Sequence, residues 1–235
     1  MICSLCGEKT KGLKCSGCGR WNVIPGAQKT YLISEIDSAP VEKVTTGPWD
    51  TVFGGGLART GVYLLGGAPG AGKTTLLIQI ASAFPGETLY ITTEQSKEDL
   101  RDTWVRLKLI KPFRVAPFLE VEDSLDGILE EYKPSLLVLD SLQGLCGDDP
   151  SGHNVACSLI KRHAVRNHCP AIVVSHITKD QMLAGRMTVQ HMVDTTCMLY
   201  LSEEERILTT LKNRYGPAFV EVAFSMGPRG LELQR

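Results

Sequence analysis

Short apolar runs alternate with longer amphipathic stretches through the middle of the chain, and that alternation predicts an α/β fold. Val62-Tyr63-Leu64-Leu65, Thr88-Leu89-Tyr90-Ile91, Leu136-Leu137-Val138-Leu139 and Ala171-Ile172-Val173-Val174 are the strand candidates. Continuous apolar runs of this length suit strands buried on both faces of a parallel sheet. Thr75 to Ala81 and Ala156 to Val165 read as helices, and Ser96-Lys97-Glu98-Asp99 opens another as a capping box. The tail changes character. Met198 to Leu201, Arg206 to Leu211 and Val220 to Phe224 are closely spaced strands with no helical stretch between them. The expected fold is a mostly parallel central sheet extended by C-terminal antiparallel strands.

The turn after the first strand carries the chemistry. Gly67-Ala68-Pro69-Gly70-Ala71-Gly72-Lys73-Thr74 is a complete G-x-x-x-x-G-K-[ST] loop placed between a strand and a helix that opens near Thr75. Glycines let backbone N–H groups turn inward around a triphosphate, and the helix directs its positive end at the same anion. Lys73 is expected to reach the β- and γ-phosphates, and the Thr74 hydroxyl to hold Mg²⁺. Asp140, closing its apolar strand, fits the second metal-ordering position, with a strand-end cap as the competing reading. Glu94 follows the next strand at the ligand-binding edge of an open α/β sheet and is the candidate general base, against a merely exposed strand-end Glu. His176, at the end of another strand, is placed to sense the γ-phosphate, although a lone His there is more often only hydrogen-bonded. Gly54-Gly55-Gly56 marks a tight turn and not a second phosphate site.

Charge and cysteines narrow the class. The 235-residue chain has a formal net charge of −1, so no global basic field points to nucleic acid. It has no run of 18 apolar residues and no signal-peptide pattern, which makes a soluble cytoplasmic protein the expectation. Cys3-x-x-Cys6 and Cys15-x-x-Cys18, each pair followed by glycine, suit a closed tetrahedral Zn²⁺ site in a small ribbon. A redox dithiol pair is the alternative. Lys9, Lys11, Lys14 and Arg20 make the ribbon basic, and Trp21 is expected to pack on it. Cys146, Cys157, Cys169 and Cys197 are far apart and read as small buried residues. The expected organisation is a zinc ribbon over 1–22, a linker over 23–43, and a phosphate-loop domain over 44–235.

Taken together, these motifs resemble the bacterial RadA/Sms DNA-repair ATPases, which have a RecA-like fold. The resemblance runs from the ribbon through Thr46-Gly47, Gly54-Gly55-Gly56-Leu57, the phosphate loop, Leu89-Tyr90 with Glu94-Gln95-Ser96, and Leu139-Asp140-Ser141-Leu142-Gln143. It continues through Ser175-His176-Ile177-Thr178-Lys179, Leu183-Ala184-Gly185, His191-Met192-Val193-Asp194 and Lys212-Asn213-Arg214-Tyr215-Gly216. The last resembles the family's signature pentapeptide, with Tyr215 where Phe is usual.

The resemblance implies a homo-oligomeric ring, a hexamer, with ATP between neighbours, where Lys212 and Arg214 reach the γ-phosphate on the adjacent subunit. It assigns catalysis to Glu94 and Lys73. It places DNA-facing loops near Gly144 to Asn154 and Asp180 to Gln190. Single-stranded or branched DNA, and a RecA-type recombinase or replicative helicase, are the implied partners. The implied activity is ATP hydrolysis coupled to branch migration in homologous recombination, with no membrane involved.

The departures are specific. Gln95 stands for a second Glu, and Arg186-Met187 for a Pro-basic pair. Gly144 to Asn154 holds Asp148 and Asp149 and no Lys or Arg. The family's C-terminal Lon-protease-like domain is expected to be lacking, since the sequence stops at Arg235. The alternative function is a nucleotide-switched adaptor that recruits a helicase or recombinase through the ribbon. A circadian-clock-type signalling ATPase shares the core fold but not the ribbon or pentapeptide.

Overall fold

The computed structural model describes residues 9, 17, 32–35, 40–118, 125–147, 149–175, 187–203 and 205–234. Cys3, Cys6, Cys15, Cys18 and His176 lie outside the described residues. So do Trp21 and most of the stretch expected to be a linker. The chain divides into two compact units, 1–40 and 41–235. Within the first, Ile33–Glu35 forms one 3-10 turn.

The second unit holds a nine-stranded sheet. In chain order its elements are β3 (Val62–Gly66), α1 (Lys73–Ala83), β4 (Thr88–Thr92), α2 (Lys97–Arg106), β5 (Arg114–Pro117), α3 (Leu125–Tyr132) and β6 (Leu136–Asp140). There follow α4 (Leu142–Cys146), α5 (Pro150–Asn167), β7 (Ala171–Ser175), α6 (Met187–Met192), β8 (Thr195–Ser202), β9 (Glu205–Asn213), β10 (Glu221–Gly227) and β11 (Gly230–Leu233). The strand order is β11-β10-β9-β8-β3-β7-β6-β4-β5. From β8 to β5 all neighbours are parallel, whereas β9, β10 and β11 join by antiparallel pairing. The expected architecture, a parallel core with an antiparallel C-terminal extension, is the one observed.

Two apolar layers explain why the strands read as unbroken hydrophobic runs. Val138 of β6 and Ile172 and Val174 of β7 face α1 and α2, packing with Leu76, Leu77, Ile80 and Leu100. Their sequence neighbours Leu137, Leu139, Ala171 and Val173 face the other side, against Ile128, Leu129, Ile160 and Ala164 of α3 and α5. Period-2 alternation is present, but both faces are dry, so both phases must be apolar.

Ahead of the sheet, β1 (Lys43–Val44) pairs antiparallel with β2 (Leu57–Ala58). The chain between them tucks Trp49, Val52 and Phe53 into the core, and Trp49 packs on Phe224, ring centroids 4.9 Å apart. Gly54, Gly55 and Gly56 all have positive φ. At Gly56 a Cβ would lie 2.6 Å from the Val44 carbonyl oxygen, so the turn needs glycine there for space as well as conformation.

Two local expectations change. Gly144 to Asn154, expected as a loop, is mostly helix: α4 ends at Cys146, and α5 begins at Pro150. Asp149 caps α5 by accepting the Ser151 and Gly152 N–H groups at 3.0 Å each. Helix α5 therefore starts six residues before the Ala156 read from periodicity. Cys157, Cys169 and Cys197 are buried, and Cys146 is half-buried. Burial pushes the thiols of Cys157, Cys169 and Cys197 up to about 12, so they stay protonated and unreactive. Among the described residues, no helix is long and apolar enough to cross a membrane.

Candidate nucleotide-binding site

The carboxyl ends of β3, β6 and β4 meet on one edge of the sheet, where open α/β folds bind ligands. An open cleft of about 400 Å³ lies there, lined by Pro69, Gly70, Lys73, Thr74, Thr75, Glu94, Gln95, Asp140 and Met226, with Gly72 at its floor. Helix α1 starts from Gly72, held left-handed at φ 104°, and no side chain caps it. Its first-turn N–H groups are thus left to an anion. At Gly67 a Cβ would stand 2.4 Å from the Leu199 carbonyl oxygen, so the loop can pass β8 only as glycine.

Lys73 curls over the loop it belongs to. Its Nζ donates to the Gly67 oxygen at 2.9 Å and the Ala68 oxygen at 3.0 Å. Burial lowers its pKa, while the Asp140 and Glu94 carboxylates act the other way. Thr74 Oγ1 donates to Asp140 Oδ2 at 2.9 Å, and the buried Tyr90 hydroxyl donates to the same oxygen at 2.7 Å. A hydroxyl and a carboxylate 2.9 Å apart are hard oxygen ligands of the kind Mg²⁺ takes, so this pair fits the ion.

Glu94 stands exposed two residues past β4, and its Oε1 accepts the Ser141 hydroxyl. The turn carrying it is laced to the end of β6. Thr93 N–H donates to the Asp140 oxygen at 2.8 Å, and Ser141 N–H to Thr93 Oγ1 at 2.8 Å. The Asp140–Ser141 peptide is cis.

Burial raises the Asp140 carboxyl above its ordinary range, opposed by the Tyr90 and Thr74 hydrogen bonds. A carboxyl whose folded pKa is raised stabilises the folded chain below its unfolded pKa, and that contribution is lost as pH rises through the folded value. Ionised Asp140 therefore costs stability at neutral pH until a cation joins it. Asp140→Asn is expected to raise the melting temperature of the ligand-free chain by about 2–4 °C at pH 7 and to abolish the further rise given by Mg·ATP. A lower ligand-free melting temperature in thermal unfolding would contradict this account of the site.

Lys212 and Arg214 are elsewhere. Thr196, opposite Lys212 in the ladder, pairs with Leu64 in the middle of β3, and the Arg214 N–H donates to the Asp194 oxygen beside Val62. Along the strand, the Lys212 level is about 10 Å from Gly67 and the Arg214 level about 16 Å. Lys212 Nζ donates to the carbonyls of Gln190 at 2.8 Å and Val193 at 2.7 Å, closing the end of α6. Burial and the neighbouring Arg214 lower its pKa.

The Arg214 guanidinium lies 3.3 Å from Asp194, a buried carboxylate that also takes the Val62 N–H at 2.8 Å and pairs with Lys161. The backbone oxygen of Tyr215 accepts from Lys43 at 2.6 Å, fastening the pentapeptide to the glycine turn. Asp194, Tyr90 and Met226 were not singled out by sequence reasoning as site residues. Asp194 and Tyr90 both fall within motifs that carry the resemblance, where neither has an assigned role.

The sheet order and the phosphate loop define a phosphate-loop protein of the RecA/KaiC fold. A KaiC-like protein of Pyrococcus horikoshii superposes with a TM-score of 0.69 over 83% of this chain and all of its own, at 20% identity. The chain is RadA-like over nearly its whole length. It is 30% identical to the DNA repair protein RadA of Bacillus subtilis over 98% of its residues and 32% identical to that of Aquifex aeolicus over 98%. With RadA of Helicobacter pylori it shares 33% identity over 88%. It spans 58%, 58% and 50% of these relatives, about half their length. No protein-family model matches the sequence.

Proposed function

We propose that the chain is an ATP-hydrolysing DNA-repair protein whose complete site forms between two copies. The observation that carries this reading is the separation of two half-sites along one sheet. The phosphate loop, Asp140 and Glu94 share one end, whereas Lys212 lies level with the middle of β3 and Arg214 with its start. This separation favours a site completed by a head-to-tail neighbour, and such interfaces close into rings.

In this reading the loop N–H groups and Lys73 hold the phosphates, with Lys73 exchanging its two loop carbonyls for phosphate oxygens. Thr74 and Asp140 would hold Mg²⁺, which would supply charge neutralisation at the phosphate oxygens. Glu94, steadied by Ser141, orients the attacking water and takes its proton. Arg214 and Lys212 of the next copy stabilise the transferring phosphoryl group. His176 is assigned to sensing the γ-phosphate. The four N-terminal cysteines are assigned to Zn²⁺.

DNA, acted on by the RadA relatives in repair, is the proposed effector, bound as single or branched strands through the phosphate backbone and without sequence readout. A RecA-type recombinase or replicative helicase is the proposed protein partner, and branch migration the proposed outcome. The helices α4 and α5 that occupy most of 144–154, together with its lack of Lys and Arg, favour a second reading. In that reading the chain is a nucleotide-switched adaptor with little motor activity. Single-stranded DNA separates the two: we expect it to raise ATP turnover at low salt and to lose that effect at high salt. Turnover indifferent to DNA at every salt concentration would favour the adaptor.

A further inference from the structure

The phosphate cleft has one exposed apolar side chain on its β8–β11 side, and nothing in the triphosphate chemistry uses it. Met226 lies on β10 two residues after Phe224, so both project from the same face. Phe224 is fully buried against Trp49. Met226 is carried past the end of that core to the mouth of the cleft, where it is 36% exposed. Its Cε packs on Gly72, 2.8 Å from where a Cβ would stand, so glycine at the loop's end leaves room for the thioether.

The hairpin that carries it is held rigidly to α1. Gln79 of that helix accepts the Leu231 N–H at 2.9 Å and donates to the Leu231 oxygen at 3.1 Å, pairing with β11 as a strand would. At Gly230 a Cβ would fall 2.6 Å from Gln79 Oε1, so the hairpin turn sits directly on this clasp.

Sheet order sets the direction of a bound nucleotide. β7, β6 and β4 lie on one side of β3, and β8, β9, β10 and β11 on the other. Asp140 and Glu94, which mark the metal and γ-phosphate end, are on the β6–β4 side. A triphosphate anchored over Gly67–Thr74 with its γ end there must send its nucleoside end toward β8–β11, where Met226 stands.

We propose that Met226 is a nucleoside-positioning residue whose thioether packs on the face of the base or on the ribose of a nucleotide bound at the phosphate loop. This rests on the nucleotide-site reading above. A polarizable thioether with no strong donor or acceptor grips a π face without reading the base's hydrogen-bonding edge, so the contact adds affinity and little selectivity among purines.

The test compares ATP with inorganic tripolyphosphate, which has the charge and no nucleoside. The unmodified chain should bind ATP more tightly than tripolyphosphate. Met226→Ala should weaken ATP about fivefold and leave tripolyphosphate unchanged. Met226→Leu, which restores apolar bulk, should recover most of the loss. Equal loss for both probes, or no loss for ATP, would overturn the proposal. Photolabelling of the unmodified chain with 8-azido-ATP should mark the peptide spanning 221–233, and label confined to other segments would also overturn it. An unmodified chain that binds neither probe would instead contradict the nucleotide site itself, an outcome distinct from one that binds both equally.

Discussion

Glu94→Gln is expected to lower ATP turnover by about a hundredfold or more while Mg·ATP binding persists. The substitution is nearly isosteric and removes only the capacity to accept a proton. Nothing that holds the phosphates changes, since the loop, Lys73, Thr74 and Asp140 keep their geometry. The turn carrying Glu94 should also survive. Thr92 Oγ1 donates to the Gln95 oxygen at 2.9 Å and accepts its N–H at 3.1 Å, and neither bond involves the Glu94 side chain. The Ser141 hydroxyl can still donate to the amide oxygen of Gln. Single-turnover kinetics beside equilibrium binding would separate the two effects. Full turnover in Glu94→Gln would remove Glu94 from catalysis and leave the neighbouring carboxylate, Asp140, to be reconsidered.

Arg214→Ala carries the second large effect, about a thousandfold on turnover if the guanidinium acts as an arginine finger. Its position makes the prediction sharp. Arg214 lies about 16 Å along the sheet from its own phosphate loop, so a same-chain role would leave turnover near that of the unmodified protein. A modest loss of stability is expected alongside. The side chain is 57% exposed, and its ion pair with Asp194 at 3.3 Å is one of several bonds that carboxylate makes. With Lys161 and the Val62 N–H remaining, Asp194 is still paired. A melting temperature close to that of the unmodified protein would therefore show that lost turnover reflects chemistry and not unfolding.

Much of this architecture is legible in the sequence because parallel strands buried on both faces leave an unbroken apolar signature. Leu136 to Asp140 and Ala171 to Ser175 appear as strands within a residue of their structural limits. The phosphate loop is equally plain, since its glycines meet steric demands that other residues cannot. Where polarity and secondary structure part company, the reading fails. The first turn of α5 carries Gly152, His153 and Asn154, which show no helical periodicity, and its start is set by the Asp149 cap and Pro150 at the first turn. β11 is only four residues, alternating Leu with Gly and Glu, and is held by Gln79 from another element.

The site divides the same way. Lys73, Thr74, Glu94 and Asp140 announce themselves by spacing and strand position. Tyr90 does not, because a tyrosine within an apolar run reads as core until its hydroxyl is seen 2.7 Å from Asp140. Lys212 and Arg214 look like a solvated hairpin tip from their local sequence. The resemblance alone suggests a role for them, and the strand register places both away from their own loop, Arg214 the farther.

A mixing experiment tests the inter-chain site most directly. Glu94→Gln chains keep an intact Arg214, and Arg214→Ala chains keep an intact Glu94, and each alone should be nearly inactive. Random co-assembly in the presence of single-stranded DNA places an intact Glu94 opposite an intact Arg214 at about a quarter of the interfaces of a head-to-tail ring. The account predicts that the mixture recovers turnover to about that fraction of the unmodified protein. A mixture no more active than the average of its two inactive components would contradict it.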